Sequence, residues 1–422
     1  MERDNQGDDG GTMRPGSGLH FPLPGTRVYM RTYGCTYNEG DSWKLAEILK
    51  ARGCILVSDP LLADAIVINT CIVVGKTERK ILHELRQHAG RPLYVTGCMP
   101  LVQADAIRNV CDPVIIHPDD IHAAYAELKT VPQGSVGVVQ ACRGCLGSCS
   151  YCVTHLARGK LVSRSLEDVT QEAARLVAAG AVELRLTGQD LSAWGRDTGQ
   201  SPADLLRSLD ALCGRFMIRA GMMNPATLFP VMDEVAEAFR LPKIFAALHL
   251  PIQSGAEKVL SRMRRGYTQE QVVSIVERFE REVPALSLTT DIICGYPGET
   301  GDDFSETLAL LQRIRPDRVI VTRYSPRPGT RAWHEKDMPD RIKKERSRTL
   351  RVCAEEIARQ KNARWKGRVL PVMITEHVRP GTSLGRTREY RAVVLQGSHE
   401  PGSVLSVRIL EDRTYYFTGE PV

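Results

Sequence analysis

Long apolar runs are missing from this 422-residue chain. A membrane helix needs roughly 18 uninterrupted apolar residues, and aspartates break even the richest stretch, Ile55 to Val74, so no membrane span is expected. Twelve cysteines are too few for a disulfide-stapled miniprotein, and no basic start leads into an apolar run at the N-terminus; both point to a reducing, cytoplasmic setting. Strong charge is lacking too. A formal net charge of +6 is too mild to mark a nucleic-acid partner by itself. What is present, 42% hydrophobic and 25% charged residues, suffices for two or three cores and argues against global disorder.

The patterning predicts an α/β protein with four parts after a disordered tail over residues 1–25, which carry Gly, Pro, Asp and Asn without apolar periodicity. Residues 26–132 read as an open parallel sheet: strands Val28–Tyr33, Ala65–Asn69, Leu93–Gly97 and Pro113–Ile116, with a helix Asp41–Arg52 capped by Asp41. Residues 133–340, after a linker Val131–Ser135, show six strand-helix units starting near Val136, Glu183, Met217, Phe245, Leu288 and Arg318. A closed eight-unit barrel takes about 250 residues and this region offers roughly 200, so a partial (β/α)6 barrel fits better. Residues 341–368 form a basic helical linker with eleven Lys/Arg against three Glu and an apolar stripe at Leu350, Cys353 or Ala354, and Ile357. Residues 369–422, with short β-prone runs at Val369–Ile374, Arg391–Val394, Val404–Leu410 and Thr414–Phe417, predict a small antiparallel β-barrel.

Cys145, Cys149 and Cys152 are spaced C-x3-C-x2-C at the end of the first barrel strand. Three thiolates on one loop can hold three irons of a 4Fe-4S cube and leave the fourth open; the alternative is a zinc knuckle completed by Cys142 or His155. A second set lies upstream. Cys35, Cys71 and Cys98 each follow a parallel strand, and the carboxyl ends of such strands converge on a common ligand site, which predicts a second cluster. Cys54, Cys111, Cys213, Cys294 and Cys353 read as small buried hydrophobes.

The triad resembles that of the radical S-adenosylmethionine (SAM) superfamily, in which SAM occupies the open iron and an aromatic such as Tyr151 contacts it. Together with Tyr33-Gly34-Cys35, Asn69-Thr70-Cys71, Gly97-Cys98, Thr187-Gly188-Gln189-Asp190, Gly221-Met222-Met223-Asn224-Pro225, Leu250-Pro251-Ile252-Gln253-Ser254-Gly255 and Thr290-Asp291-Ile292-Ile293-Cys294-Gly295, the chain resembles the methylthiotransferases of MiaB and RimO type nearly throughout from Arg27. That resemblance implies a terminal TRAM domain, two 4Fe-4S clusters, and SAM contacts among strand-end residues Gln189, Asn224, Gln253 and Ser254. His155-Leu156-Ala157-Arg158-Gly159 and the stretch from Asp190 to Asp197 resemble the archaeal and eukaryotic subgroup that methylthiolates N6-threonylcarbamoyladenosine at position 37 of the tRNA anticodon loop. The MiaB type has asparagine in place of Asp190 and acts on isopentenyladenosine; the RimO type acts on a ribosomal-protein aspartate. A low-potential electron donor such as ferredoxin or flavodoxin, and a sulfur donor, are implied partners. A non-catalytic iron-sulfur RNA-binding protein is the rival from another class; it would need neither an open iron nor SAM-binding motifs.

Overall fold

The structure, a computed structural model, describes residues 20–128 and 130–422. The expected disordered tail lies outside the described residues as far as residue 19. At Phe21 the chain is already packed: its ring is buried with the Arg52 guanidinium 5.4 Å above it, so residues 21–25 belong to the fold rather than to a tail.

A five-stranded sheet follows, parallel throughout, in the order Ile55–Val57, Arg27–Thr32, Ala65–Thr70, Leu93–Gly97, Val114–Ile115. The central strand Ala65–Thr70 is buried at every position, as expected of a parallel strand covered on both faces. Val67 packs with Leu45, Ile48 and Ile121 on one face, whereas Ile66 and Ile68 pack with Ile81 and Leu85 on the other. The edge strand Ile55–Val57 escapes sequence reading because three residues are too few to show a period. Asp41 is not a helix cap. The helix runs Thr36–Ala51 with Cys35 as N-cap, and Asp41 is fully buried in its second turn; the polar residues that hide this first turn face another domain rather than water.

The six predicted barrel strands are present as two parallel sheets, Val136–Gln140, Glu183–Thr187, Met217–Arg219 and Ala247–His249, Ser287–Cys294, Arg318–Arg323. Single bridges from Ile218 to Ile244 and from Met222 to His249 join them in chain order. Helix Thr36–Ala51 lies against the first strand: a side chain added at Gly40 would meet Val138 and Gln140 at 3.0 Å. The basic helix spans Asp340–Asn362 and buries Leu350, Ala354 and Ile357 in the barrel's own core, with Cys353 only half-buried.

The C-terminal strands close into a five-stranded barrel. It is not antiparallel throughout, because Ala392–Gln396 pairs in parallel with Tyr416–Pro421. The strand Thr382–Arg386 was missed, since Thr-Ser-Leu-Gly-Arg lacks a β-branched run; Gly385 is instead where the Val372 side chain packs. No helix among the described residues is long and apolar enough to cross a membrane.

Candidate active site

Three neighbouring strands end on cysteines. Cys71 and Cys98 directly follow Ala65–Thr70 and Leu93–Gly97, and Cys35 follows Arg27–Thr32 after Tyr33 and Gly34. Adjacent strands lie about 4.8 Å apart, so sheet register, not sequence spacing, brings the thiols to one edge. Asn38 ties that edge together: its Nδ2 donates to the carbonyls of Tyr33 at 2.9 Å and Thr70 at 2.8 Å, while Asn69 Nδ2 donates to the Asn38 carbonyl at 2.8 Å. Burial pushes the Cys98 thiol up to about 11, with the Arg158 charge working against it and the Cys71 and Cys35 thiols adding to it. Burial also raises Cys71, whose sulfur accepts backbone N–H groups of Val73 and Ile72.

Gly97 makes this edge possible. Its φ of 91° lies in the left-handed region, and an added Cβ would strike the Thr70 backbone and the Asn69 side chain. Gly97→Ala is expected to cost about 2–3 kcal/mol or more, from backbone strain plus overlap. A urea midpoint equal to the parent's would refute this reading.

The second triad occupies the loop between Cys142–Arg143 and helix Val153–Arg158; all three cysteines are half-buried. Gly147 N–H donates to Cys145 Sγ at 3.2 Å, and Arg265 Nη1 donates to Cys149 Sγ at 3.2 Å. Cys152 stands at the N-cap of the helix, where the backbone N–H groups of His155 and Thr154 favour its thiolate. A Cβ at Gly147 would lie 3.4 Å from Cys145 Sγ, 3.7 Å from Cys149 Sγ and 4.0 Å from Asn224 Nδ2. Loop, sulfurs and a strand end thus share one small volume. Burial pushes Cys145 up to about 11 and raises Cys152.

Three thiols supplied with N–H and guanidinium donors suit an iron-sulfur cluster, whose sulfurs take such hydrogen bonds. Among the described residues no three His, Cys, Asp or Glu side chains close on a single-ion site. Cys142 does not complete one: its buried thiol donates to the Asp190 carbonyl at 3.6 Å and fills the space left by Gly188.

Arg265 organises the surroundings. Its buried guanidinium also donates to Tyr151 Oη at 3.4 Å, Asn224 Oδ1 at 3.1 Å, the Pro251 carbonyl at 2.8 Å and Tyr267 Oη at 3.1 Å. Among the expected SAM contacts, Tyr151 and Asn224 therefore meet on one cation, and Gln189 braces the loop by accepting Gly144 N–H at 2.7 Å. Gln253 holds a left-handed φ of 65° and leaves its Oε1 buried without a partner. An orphaned acceptor at a strand end is what a donor-bearing ligand would satisfy. Ser254 is placed differently: buried, it accepts Ala256 N–H at 3.2 Å and lies 3.3 Å from Thr307 Oγ1 on the outer helix Gly301–Ile314.

The two triads are physically joined. Ile72, after Cys71, and Val153, after Cys152, pack with Cys98 in one buried cluster. Beside it, Arg158 donates to Asn38 Oδ1 at 2.9 Å and Asp41 Oδ2 at 2.8 Å, with Tyr37 4.7 Å beneath the guanidinium. Gln140 Nε2 donates to Asp41 Oδ1 at 2.7 Å, and Arg327 pairs with Glu78. Sequence reading missed Arg158, Arg265 and Arg327 as site residues. A lone arginine reads as a solvated charge, because its buried partners lie far away in the sequence.

Three family models match: the radical SAM superfamily over residues 139–311, uncharacterized protein family UPF0004 over 27–116, and the TRAM domain over 363–422. A "Probable threonylcarbamoyladenosine tRNA methylthiotransferase" of Methanothermobacter thermautotrophicus is 34% identical, covering 94% of this chain and 100% of that protein. A "Threonylcarbamoyladenosine tRNA methylthiotransferase" of Drosophila melanogaster is 30% identical over 94% of this chain and 78% of its own length. A "tRNA-2-methylthio-N(6)-dimethylallyladenosine synthase" of Chloroflexus aurantiacus is also 34% identical, covering 94% and 91%. Among solved structures, the radical SAM methyltransferase TsrM of Kitasatospora setae shares the fold at a TM-score of 0.50 and 15% identity, over 73% of this chain and 77% of that one.

Proposed function

Because this chain belongs to the radical SAM methylthiotransferase family, we propose that it converts N6-threonylcarbamoyladenosine at position 37 of tRNA to its 2-methylthio derivative. The observation that carries the substrate is the end-to-end similarity to the archaeal protein of that name, 94% of this chain against 100% of the other. The Chloroflexus relative, at the same 34% identity, favours dimethylallyladenosine as the second reading. Asp190 does not separate the two by touching substrate, because its carboxylate is spent internally. It accepts Ser192 Oγ at 2.7 Å, Thr227 Oγ1 at 2.7 Å and Asn224 N–H at 3.1 Å; an asparagine in its place would keep the two bonds to Oδ1 and require only the Thr227 hydroxyl to turn.

Cys145, Cys149 and Cys152 would hold the cluster that SAM joins, and Cys35, Cys71 and Cys98 a second 4Fe-4S cluster. When bound, the first cluster and SAM supply one-electron chemistry able to activate an inert C–H bond. Arg265 offsets the negative charge of the sulfurs through Cys149 and, with Tyr151 and Asn224, fixes the walls beside them. Asn38 and Arg158 hold the second thiol set against the first, and the buried Ile72, Cys98 and Val153 keep water from between them. The exposed Arg341, Arg348 and Arg351 of helix Asp340–Asn362 suit tRNA phosphates. A ferredoxin- or flavodoxin-like electron donor and a sulfur donor complete the reaction in the cytoplasm.

Arg265→Met is expected to lower SAM cleavage on the order of 10²-fold, since it removes charge-assisted bonds in a buried site, and to loosen iron at that loop; Arg265→Lys retains part of both. Unchanged 5′-deoxyadenosine formation would remove Arg265 from the site. The substrate is tested by anaerobic reconstitution with SAM, dithionite and tRNA carrying either the threonylcarbamoyl or the dimethylallyl group. A methylthio mass gain on the former supports the proposal, and a gain confined to the latter overturns it.

A further inference from the structure

The barrel interior carries a polar chain that the cluster chemistry leaves unused. Along the strands Leu184, Leu186, Ile218, Leu248 and Ile292 enter the outer core, so the alternating residues Arg185, Arg219, His249 and Asp291 project to the opposite, inner face. His249 Nε2 donates to Asp291 Oδ2 at 2.6 Å, with side-chain exposures of 12% and 26%. Such exposure midway along a central strand means the interior is open to solvent there. Asp291 lies just below the SAM-side strand ends, its carbonyl accepting Gln253 N–H at 2.8 Å.

Arg219 is the unusual member. Arg185 is spoken for by Glu183 and Glu376, both at 2.8 Å, and Glu183 is also held by Tyr390 Oη at 2.6 Å. Arg219, by contrast, makes no ion pair among the described residues; its hydrogen bond runs to His249 Nδ1 at 3.3 Å. Because Asp291 takes the Nε2 proton, Nδ1 is left as a lone pair facing the guanidinium, and the imidazole aims Arg219 rather than neutralising it. Burial, and the like charges of Arg185 and Arg386, pull the Arg219 guanidinium down; Tyr390, whose ring lies 5.9 Å away, and Glu183 work against this without overcoming it, an imbalance that an incoming anion relieves.

Resting on the threonylcarbamoyladenosine reading, we propose that Arg219, aimed by His249 and Asp291, binds the carboxylate of the threonylcarbamoyl arm and so selects this nucleoside over one with an apolar N6 group. A planar guanidinium matches a carboxylate, and dimethylallyl offers it nothing. A site built around such a pair rejects the analogue that lacks the partner, because the cation is then left unpaired.

The test compares anticodon stem-loops carrying the threonylcarbamoyl group as free carboxylate or as its methylamide. The native enzyme is expected to prefer the carboxylate by about 10- to 100-fold in kcat/KM. Arg219→Met should erase that preference, the loss falling on KM for RNA more than on kcat, and Arg219→Lys should keep part of it. The substrate-side change needs no variant, so misfolding of Arg219→Met leaves the test intact. Equal use of both stem-loops by the native enzyme would overturn the proposal, as would a folded Arg219→Met that still discriminates, or one whose KM rises for SAM instead of RNA. A native enzyme that modifies only dimethylallyl tRNA would instead overturn the underlying substrate reading, a result distinguishable from the others.

Discussion

Replacing Cys35, Cys71 and Cys98 together with alanine is expected to reduce the bound iron from about eight to about four per chain, to leave SAM cleavage in place, and to abolish methylthio insertion. The two thiol sets rest on separate cores. The first stands on the sheet core of Ile66, Ile68, Ile81 and Leu85, the second on the barrel core that includes Val139, Leu186 and Leu250. Of the three cysteines only Cys98 is buried, so loss of the sulfurs removes little packing. A cluster held by Cys145, Cys149 and Cys152 would then still take up an electron without the upstream set, whereas sulfur transfer would be lost. Retention of about eight irons, or a surviving methylthio product, would show that these three cysteines do not hold the second cluster.

A pH dependence follows from the same burial. Iron binding at these cysteines would expel thiol protons, and burial pushes the Cys98 and Cys145 thiols up to about 11. Iron affinity of the apo chain is therefore expected to rise between about pH 7 and about pH 9, with measurable proton release. A flat profile would mean that the thiols are already ionised.

That Cys35, Cys71 and Cys98 follow neighbouring strands was legible in the sequence because strand periodicity and chain order locate strand ends, and a parallel sheet gathers those ends on one side. Asn38, Asp41 and Arg158 were not legible in the same way. Arg158 ends a short helix, and its carboxylate partner lies 117 residues away, a closure that no local period records. Asp41 passed for a helix cap because aspartate ordinarily serves as one, and only the docking of a second domain buries it. Arg219, His249 and Asp291 lie on three different strands, and only the register of the barrel brings them together.

Arg158→Met is expected to destabilise the chain by about 3–5 kcal/mol, because it strands a buried carboxylate. Arg158 and Asp41 side chains are 2% and 1% exposed and 2.8 Å apart. Burial alone would push the Asp41 carboxyl up; the His122 hydrogen bond and the Arg158 charge overcome this and hold it below its ordinary value. A carboxyl so depressed contributes stability above its unfolded value of about 3.9 and loses it as pH falls further. The parent should thus weaken only in acid below about pH 4, whereas in Arg158→Met the stranded carboxylate costs stability above about pH 4 and acid relieves that cost, so the gap between the two narrows as pH falls. Urea midpoints against pH would show it, and coincident curves would sink the claim. The pair of changes Arg158→Met and Asp41→Asn should recover part of the loss, since it leaves no uncompensated charge. Function discriminates further. Because this pair braces Asn38 and the Cys98–Val153 contact, the single variant should keep both sets of iron yet cleave SAM with little product, a signature that simple instability, which loses iron and cleavage together, does not produce.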